Sequence, residues 1–80
     1  MKQFRIIATC DIEYDFGDKA HFENTTIGIP EEYRKTYTDL ETALKDIQKI
    51  KREGRGRDAK ITLSDVRVQS RIITDWEDEH

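Results

Sequence analysis

The sequence has few of the residues from which covalent frameworks and metal sites are built. It contains one cysteine, two histidines, one proline and four glycines in 80 residues. Cys10 alone excludes an internal disulfide, and His21 and His80 are too few for a typical structural zinc site. Acids interrupt the N-terminal apolar residues from Asp11 onward, so neither a signal peptide nor a membrane-spanning helix is expected. We therefore expect a cytoplasmic protein without a metal or cofactor.

The composition limits the size of the core. Hydrophobic residues make up 35% of the chain and charged residues 39%, which is enough apolar surface for one face of a sheet and one helix stripe. A single α+β domain spanning residues 1–80 follows, without a deeply buried active site. No motif names a reaction, so a non-enzymatic protein is predicted. The net charge of -3 gives no overall excess of cations for binding duplex DNA.

The first 30 residues predict a β-hairpin. Even positions from Phe4 to Phe16 are apolar or aromatic and most odd positions are polar, a period of two that is typical of a strand. Turn residues follow at 17–19, where a glycine accepts positive φ without penalty. In the second strand, residues 20–29, the parity of Phe22 differs from that of Ile29, which predicts a bulge near residues 24–26 or an early strand end.

The middle of the chain predicts one amphipathic helix. Pro30 suits the start of a short helical turn through Glu31 and Glu32. Thr38 and Glu41 match a capping box. An apolar stripe with helical spacing follows it, and Gly54 is expected to end the helix. The stripe consists of Leu40, Ala43, Leu44, Ile47 and Ile50. Residues 53–58 are polar and contain glycine, so an exposed, mobile loop is predicted there.

Residues 60–76 predict a last strand whose parity shifts near Ser64 and Asp65, as a bulge would produce. The acidic residues 77–80 are expected to fray. A right-handed crossover through the helix predicts the sheet order 2-1-3, with strand 1 antiparallel to both neighbours. The helix should then cover the even face of strand 1 and leave the other face open. The packing set is Phe4, Ile6, Ile12 and Tyr14 against Leu40, Leu44 and Ile47. So small a core favours help from a second copy, and a homodimer is one expectation.

Three acids alternate with core residues on strand 1. Asp11, Glu13 and Asp15 should project from the open face about 7 Å apart. One interpretation is cross-strand pairing with Arg67 and Arg71; another is mimicry of nucleic-acid phosphates toward a basic partner. Three collinear carboxylates converge poorly on a metal ion.

Basic residues cluster between positions 45 and 60, where seven cations and three acids give a net charge of +4. This stretch is interpreted either as a solvated helix end or as a nucleic-acid interface built on the helix end and loop 49–60. The candidates for nucleic-acid contact are Lys49, Arg52, Arg55, Arg57 and Lys60. Cys10 and His21 could also face each other across the hairpin, but no third group orients the histidine, so catalysis is not predicted.

The segment from Arg71 through Ile72, Ile73, Thr74, Asp75, Trp76 and Glu77 resembles the endings of small orphan proteins of bacteriophages and mobile elements. Size, acidity and the lack of a catalytic set also resemble phage-encoded anti-CRISPR and anti-restriction inhibitors. That resemblance implies binding to a host nucleic-acid-handling protein. The leading hypothesis is a protein-interaction module whose partner-binding residues are Asp11, Glu13, Asp15, Trp76 and Glu77.

Overall fold

The computed structural model describes residues 2–72, which form a four-stranded antiparallel sheet with one α-helix. The elements in chain order are β1 (Lys2–Tyr14), β2 (Lys19–Thr25), a 3-10 turn (Glu31–Tyr33), α1 (Leu40–Ile47), β3 (Glu53–Arg55) and β4 (Ala59–Ile72). The α+β class is therefore confirmed. None of the helices within residues 2–72 has the length and apolar character needed to cross a bilayer.

The sheet has the order β2-β1-β4-β3, with β1 antiparallel to both β2 and β4. The predicted order 2-1-3 was wrong because it lacked the short edge strand β3. Gly54 lies opposite Ile61 in this pairing, and the Leu63 amide donates to the Arg52 carbonyl at 2.6 Å. Part of the predicted mobile loop is thus an ordered strand, because its backbone groups find partners on the outer edge of β4.

Both neighbours of β1 carry a bulge at the same level. Opposite β1, the register of β2 shifts between Phe22 and Thr25, and that of β4 shifts between Ser64 and Arg67. Each extra segment contains a residue with positive φ, Asn24 at 51° and Asp65 at 50°. Both parity breaks in the sequence therefore have the predicted cause. The second strand also ends at Thr25, earlier than residue 29.

The helix packs on the sheet through a smaller stripe than predicted. Ala43 and Ile50 are buried against the even face of β1, where Ile6, Ala8 and Cys10 lie. Leu40 and Leu44 were predicted to be core residues, yet they are 44% and 48% exposed. The correction has a steric reason: the helix rests on the small side chain at position 43, which turns the flanking leucines outward.

The helix termini also differ from the prediction. Asp39, rather than Thr38, is the N-cap, and its carboxylate accepts from the Thr42 amide at 3.1 Å. The helix ends at Ile47, so residues 48–54 do not continue it. Arg52 folds back on the helix end and donates to the carbonyls of Ile47 at 3.3 Å and Ile50 at 2.9 Å. The Ile47 carbonyl is the last of the helix and has no donor four residues on within it.

The face opposite the helix has one buried apolar residue of its own. Ile7 is 1% exposed although its parity places it away from the helix. Arg67 of β4 lies opposite Ile7 in the ladder, and its side chain donates a hydrogen bond to Asn24 of β2. That side chain must cross β1, and its aliphatic stem therefore shields Ile7. Arg67 links the two bulged segments across the central strand.

The described chain is elongated, with extents of 50 × 28 × 18 Å. Four strands lie side by side at the hairpin end, whereas at the other end β1 and β4 run as a two-stranded ribbon. There the Phe4 amide donates to the Tyr37 carbonyl at 2.8 Å, and the Tyr37 amide donates back at 2.7 Å. Tyr37 thus covers the β1 edge that faces away from β4.

Candidate functional site

The open face carries a shallow groove at the four-stranded end of the sheet. Its volume is about 400 Å³. Side chains of both charges from three strands line it: Asp11, Glu13, Lys19, His21, Lys60 and Thr62. The alternation of β1 places Asp11 and Glu13 here and the core residues Cys10 and Ile12 on the helix side, as predicted. The groove is not a one-sign surface, because each neighbouring strand contributes a lysine.

Asp11 is paired with a histidine from β2. His21 lies directly opposite in the ladder, and its Nδ1 is 2.5 Å from Asp11 Oδ1. Glu23 adds a second carboxylate, 3.7 Å from His21 Nε2. The hydrogen bond with Asp11, assisted by its charge and by Glu23, raises the pKa of His21 above the usual value for histidine. The arrangement favours an imidazolium that neutralises one acid of the row.

Asp15 is paired with an arginine from β3. The two residues meet at 2.5 Å between Arg55 Nη2 and Asp15 Oδ1. Next to them, Lys60 Nζ lies 3.8 Å from Glu53 Oε1. One residue of each predicted surface, acidic and basic, therefore joins in a single ion pair. Both partners stay more than half exposed, so the pair is open to exchange with external charges.

Glu13 is the middle acid of the row and differs from its neighbours. The ladder places it opposite Lys19 on one side and Lys60 on the other. Within residues 2–72 it has no ion pair shorter than 4 Å, unlike Asp11 and Asp15. Glu13 is the member of the row whose carboxylate is least engaged.

Pairing of the acidic row with Arg67 and Arg71 was wrong. Arg67 binds Asp65 at 2.6 Å and Asn24, and Arg71 binds the Gln3 side chain at 2.9 Å. The antiparallel register of β1 and β4 accounts for this, since it places both arginines opposite residues 3–7, beyond the reach of the acids. The residues opposite the acids Asp11 and Glu13 are instead Thr62 and Lys60.

The five predicted nucleic-acid contacts do not form one surface. Arg55 and Lys60 lie on the open face beside the acidic row. Lys49 is 3.6 Å from Asp46, and Arg52 donates to carbonyls at the helix end, so both have structural partners. Arg57 is exposed and has no ion pair with another residue of the described range. Contacts at the helix end therefore explain the positions of Lys49 and Arg52 without a nucleic-acid ligand.

A second groove of about 340 Å³ lies between the 3-10 turn and β3. Its wall includes one aromatic ring, three cations, two acids and glycine backbone: Tyr33, Lys49, Lys51, Arg55, Glu32, Glu53, Gly54 and Gly56. Sequence reasoning did not include Lys51 or Tyr33 among the sites, because their proximity depends on the chain turning back at residue 48. Their spacing of 18 residues is no periodic signal.

The structure does not bring Cys10 and His21 together as a catalytic pair. Cys10 faces the helix and is fully buried, whereas His21 faces the open side with Asp11. Burial, with a smaller effect of Asp11, raises the pKa of the Cys10 thiol, which suppresses the thiolate. Among residues 2–72 no group of three or more histidine, cysteine, aspartate or glutamate side chains is arranged to hold a metal ion.

Two predicted partner-binding residues, Trp76 and Glu77, lie outside the described residues, as does the tail 77–80 and the end of the predicted last strand. Comparison of the chain with known protein families, with curated proteins and with solved structures gave no match.

Proposed function

We propose that this protein is a non-enzymatic interaction module that docks a protein partner on the open face of its sheet, around Asp11, Glu13 and Asp15. The observation that carries the proposal is the contrast between the two faces. One is covered by the helix, and the other exposes a groove of about 400 Å³ lined by charged side chains. Rows of exchangeable charge give specificity and register in protein recognition.

The partner chemistry follows from the acidic row. Glu13 lies between Lys19 and Lys60 but makes no ion pair shorter than 4 Å within residues 2–72, and Asp11 and Asp15 hold theirs in exposed pairs. A partner with arginine or lysine side chains spaced by about 7 Å could engage all three acids in sequence. Nucleic-acid-handling proteins carry such cations. The module would then act as an inhibitor of a host CRISPR or restriction protein, as phage-encoded inhibitors do.

The test changes the row and a matched set of acids elsewhere. Asp11→Asn, Glu13→Gln and Asp15→Asn are combined in one variant, and Glu31→Gln, Glu32→Gln and Glu41→Gln in the control. Both variants gain three charge units. Each protein is immobilised and exposed to a bacterial lysate, and the captured proteins are identified by mass spectrometry. Added DNA should displace a partner that binds the acidic row through its nucleic-acid-binding surface. We expect nucleic-acid-binding proteins on the wild type and the control but not on the row variant. Equal capture by all three proteins would refute the site.

A second candidate function, nucleic-acid binding, is favoured by the groove beside β3. Tyr33 offers a ring for stacking and Lys51 offers charge beside glycine backbone, while Lys49 and Arg55 line the same groove in ion pairs with Asp46 and Asp15. Titration with labelled single-stranded DNA and RNA at several salt concentrations separates the candidates. This function predicts binding that weakens steeply with salt and is lost in Lys51→Gln with Arg55→Gln. Lack of binding at low salt would eliminate it.

A further inference from the structure

The outer edge of β4 is half covered. β3 pairs only with residues 60–62, and the Arg52 carbonyl extends the contact to Leu63. Within the described range no strand lies beside residues 64–72 on that side. This open segment has a length of about 30 Å. Unpaired edges of that length are usually shortened, charged or covered, because they pair readily with another strand.

The direction of the backbone groups on this edge follows from the β1 ladder. The amide and carbonyl of Phe4 both bond Tyr37, so they point away from β4. In an antiparallel ladder, the residue opposite such a position also directs its backbone amide and carbonyl away from its partner strand. Every second residue along the strand does the same. Ser70 is opposite Phe4, and Val68 is opposite Ile6. The amides and carbonyls of Val68 and Ser70 therefore point outward from the open edge.

The side chains beside the edge are apolar on the helix side. Val66 and Val68 are half-buried there, and Ile72 is 50% exposed. On α1, Asp46 and Leu44 lie on opposite sides of Ala43. Asp46 bonds Tyr37, beside the β1 edge away from β4. The half-exposed Leu40 and Leu44 lie on the other side of the helix from Asp46.

We propose that this edge pairs with the same edge of a second copy, forming an antiparallel two-fold dimer with Val68 on the axis. Charge favours this register over the two adjacent ones. Placing Arg67 or Gln69 on the axis would bring arginines of the two copies opposite each other, at Arg67 with Arg67 or Arg67 with Arg71. With Val68 on the axis, Arg67 faces Gln69 of the second copy, and the bulged segment that carries Asp65 lies at the level of Arg71. Opposite charges across a strand pair are favourable and like charges are not.

This register also satisfies the backbone groups on the axis. Val68 pairs with Val68 of the second copy, which gives two hydrogen bonds between the strands, and Ser70 lies at the level of Val66, next to the bulge. The two helices then lie on the same side of a continuous sheet. The dimer does not depend on the proposed function, since the open face and the edge are different surfaces.

Two substitutions at Ser70 test the pairing. Ser70→Pro removes an outward amide without removing a hydrogen bond to β1, whereas Ser70→Ala keeps the amide. Sedimentation equilibrium over a range of concentrations should show a dimer for the wild type and for Ser70→Ala. Ser70→Pro should raise the dissociation constant about tenfold or more. Circular dichroism identifies a Ser70→Pro chain that fails to fold.

A cysteine substitution on the axis tests the pairing independently of Ser70→Pro. Val68→Cys places two thiols on the axis, where opposite Cα atoms are about 5.5 Å apart and a disulfide is feasible. Gln69→Cys is the control off the axis, and Cys10 is buried and does not interfere. Rapid oxidative cross-linking of Val68→Cys but not of Gln69→Cys would support the register. A monomeric wild type at all concentrations, or equal cross-linking of both variants, would overturn the proposal.

Discussion

Asp46 is the one charged residue that is buried among residues 2–72, and a single hydroxyl explains how it is tolerated. The Tyr37 hydroxyl donates to its Oδ2 at 2.7 Å. That bond lowers the pKa of Asp46, with help from Lys49, while burial and the carboxylate raise the pKa of Tyr37. The hydrogen bond connects the helix to Tyr37, whose backbone is in turn hydrogen-bonded to Phe4 of β1. A buried carboxylate without this donor would lose its main compensation.

Tyr37→Phe should therefore destabilise the protein, although it removes only one oxygen atom. We expect the free energy of unfolding to fall by about 1–2 kcal/mol, because the Asp46 carboxylate keeps its burial and loses its donor. Urea denaturation measures the change. Tyr33→Phe is the control, since Tyr33 is half-buried and its hydroxyl has no hydrogen bond within the described chain. An equal effect of both substitutions would contradict the role of the Tyr37 hydroxyl.

His21 should make stability depend on pH near neutrality. Its folded-state pKa is raised by Asp11, so the histidine contributes to stability fully below its unfolded pKa of about 6.5. This contribution is lost as the pH rises through the folded-state pKa. NMR titration of the His21 ring should give a pKa above 6.5 in the wild type. Asp11→Asn should bring it back toward that value, whereas Glu31→Gln should not. A His21 pKa unaffected by Asp11→Asn would show that the ion pair is not formed in solution.

The loop after β2 depends on a glycine that has no room for a side chain. Gly28 has a φ of +86°, and a Cβ there would lie 2.9 Å from Leu63 Cδ2 and 3.1 Å from Cys10 Sγ. The loop passes this close because Ile29 must enter the core outside any strand. Both the backbone conformation and the packing therefore require glycine.

Gly28→Ala should lower the free energy of unfolding by about 2–4 kcal/mol, since it combines backbone strain with overpacking. Two other glycines separate these causes. Gly17 has a φ of +105° but open space around it, so Gly17→Ala should cost about 1 kcal/mol. Gly54 has neither feature, and Gly54→Ala should change stability by less than about 0.5 kcal/mol. Any other order of the three values in thermal or urea denaturation would contradict the packing at Gly28.

The sequence predicted elements better than their contacts. Alternation and parity breaks identified the long strands and both bulges, because a period of two reports which side each residue faces. The apolar stripe of the helix was predicted with the correct spacing, but the burial of its individual side chains was not. Ala43 brings the helix close to the sheet while the flanking Leu40 and Leu44 stay outside, and hydrophobicity alone cannot distinguish these positions. Asp39 replaced Thr38 as the N-cap because both residue types suit that position.

The candidate site was predictable as a face but not as a set of ion pairs. Its acids lie on one side of β1 because alternation puts them there. Their partners depend on register: His21 reaches Asp11 through the hairpin, and Arg55 reaches Asp15 only because residues 53–55 form an edge strand. A three-residue strand has too few positions to show a period, so its formation is decided by the unsatisfied edge of β4.

At the narrow end of the sheet, the outer edges of β1 and β4 differ in how their backbone groups are covered. There β1 has Tyr37 along part of its outer edge, while β4 presents the amides of Val68 and Ser70 outward. Hydrogen exchange of single amides reads this directly, because neighbouring residues of β4 point in opposite directions.

In dilute solution the amides of Arg67 and Gln69, which point toward β1, should exchange at least about tenfold more slowly than those of Val68 and Ser70. The alternation is its own control, since all four residues belong to one strand and share its local unfolding. At concentrations where the dimer forms, Val68 and Ser70 should become as protected as their neighbours, and Ser70→Ala should keep this change at Val68. Outward amides that stay rapid at every concentration would leave the β4 edge exposed to solvent and exclude edge pairing. Protection of all four at the lowest concentration would instead mean that another part of the chain covers the edge.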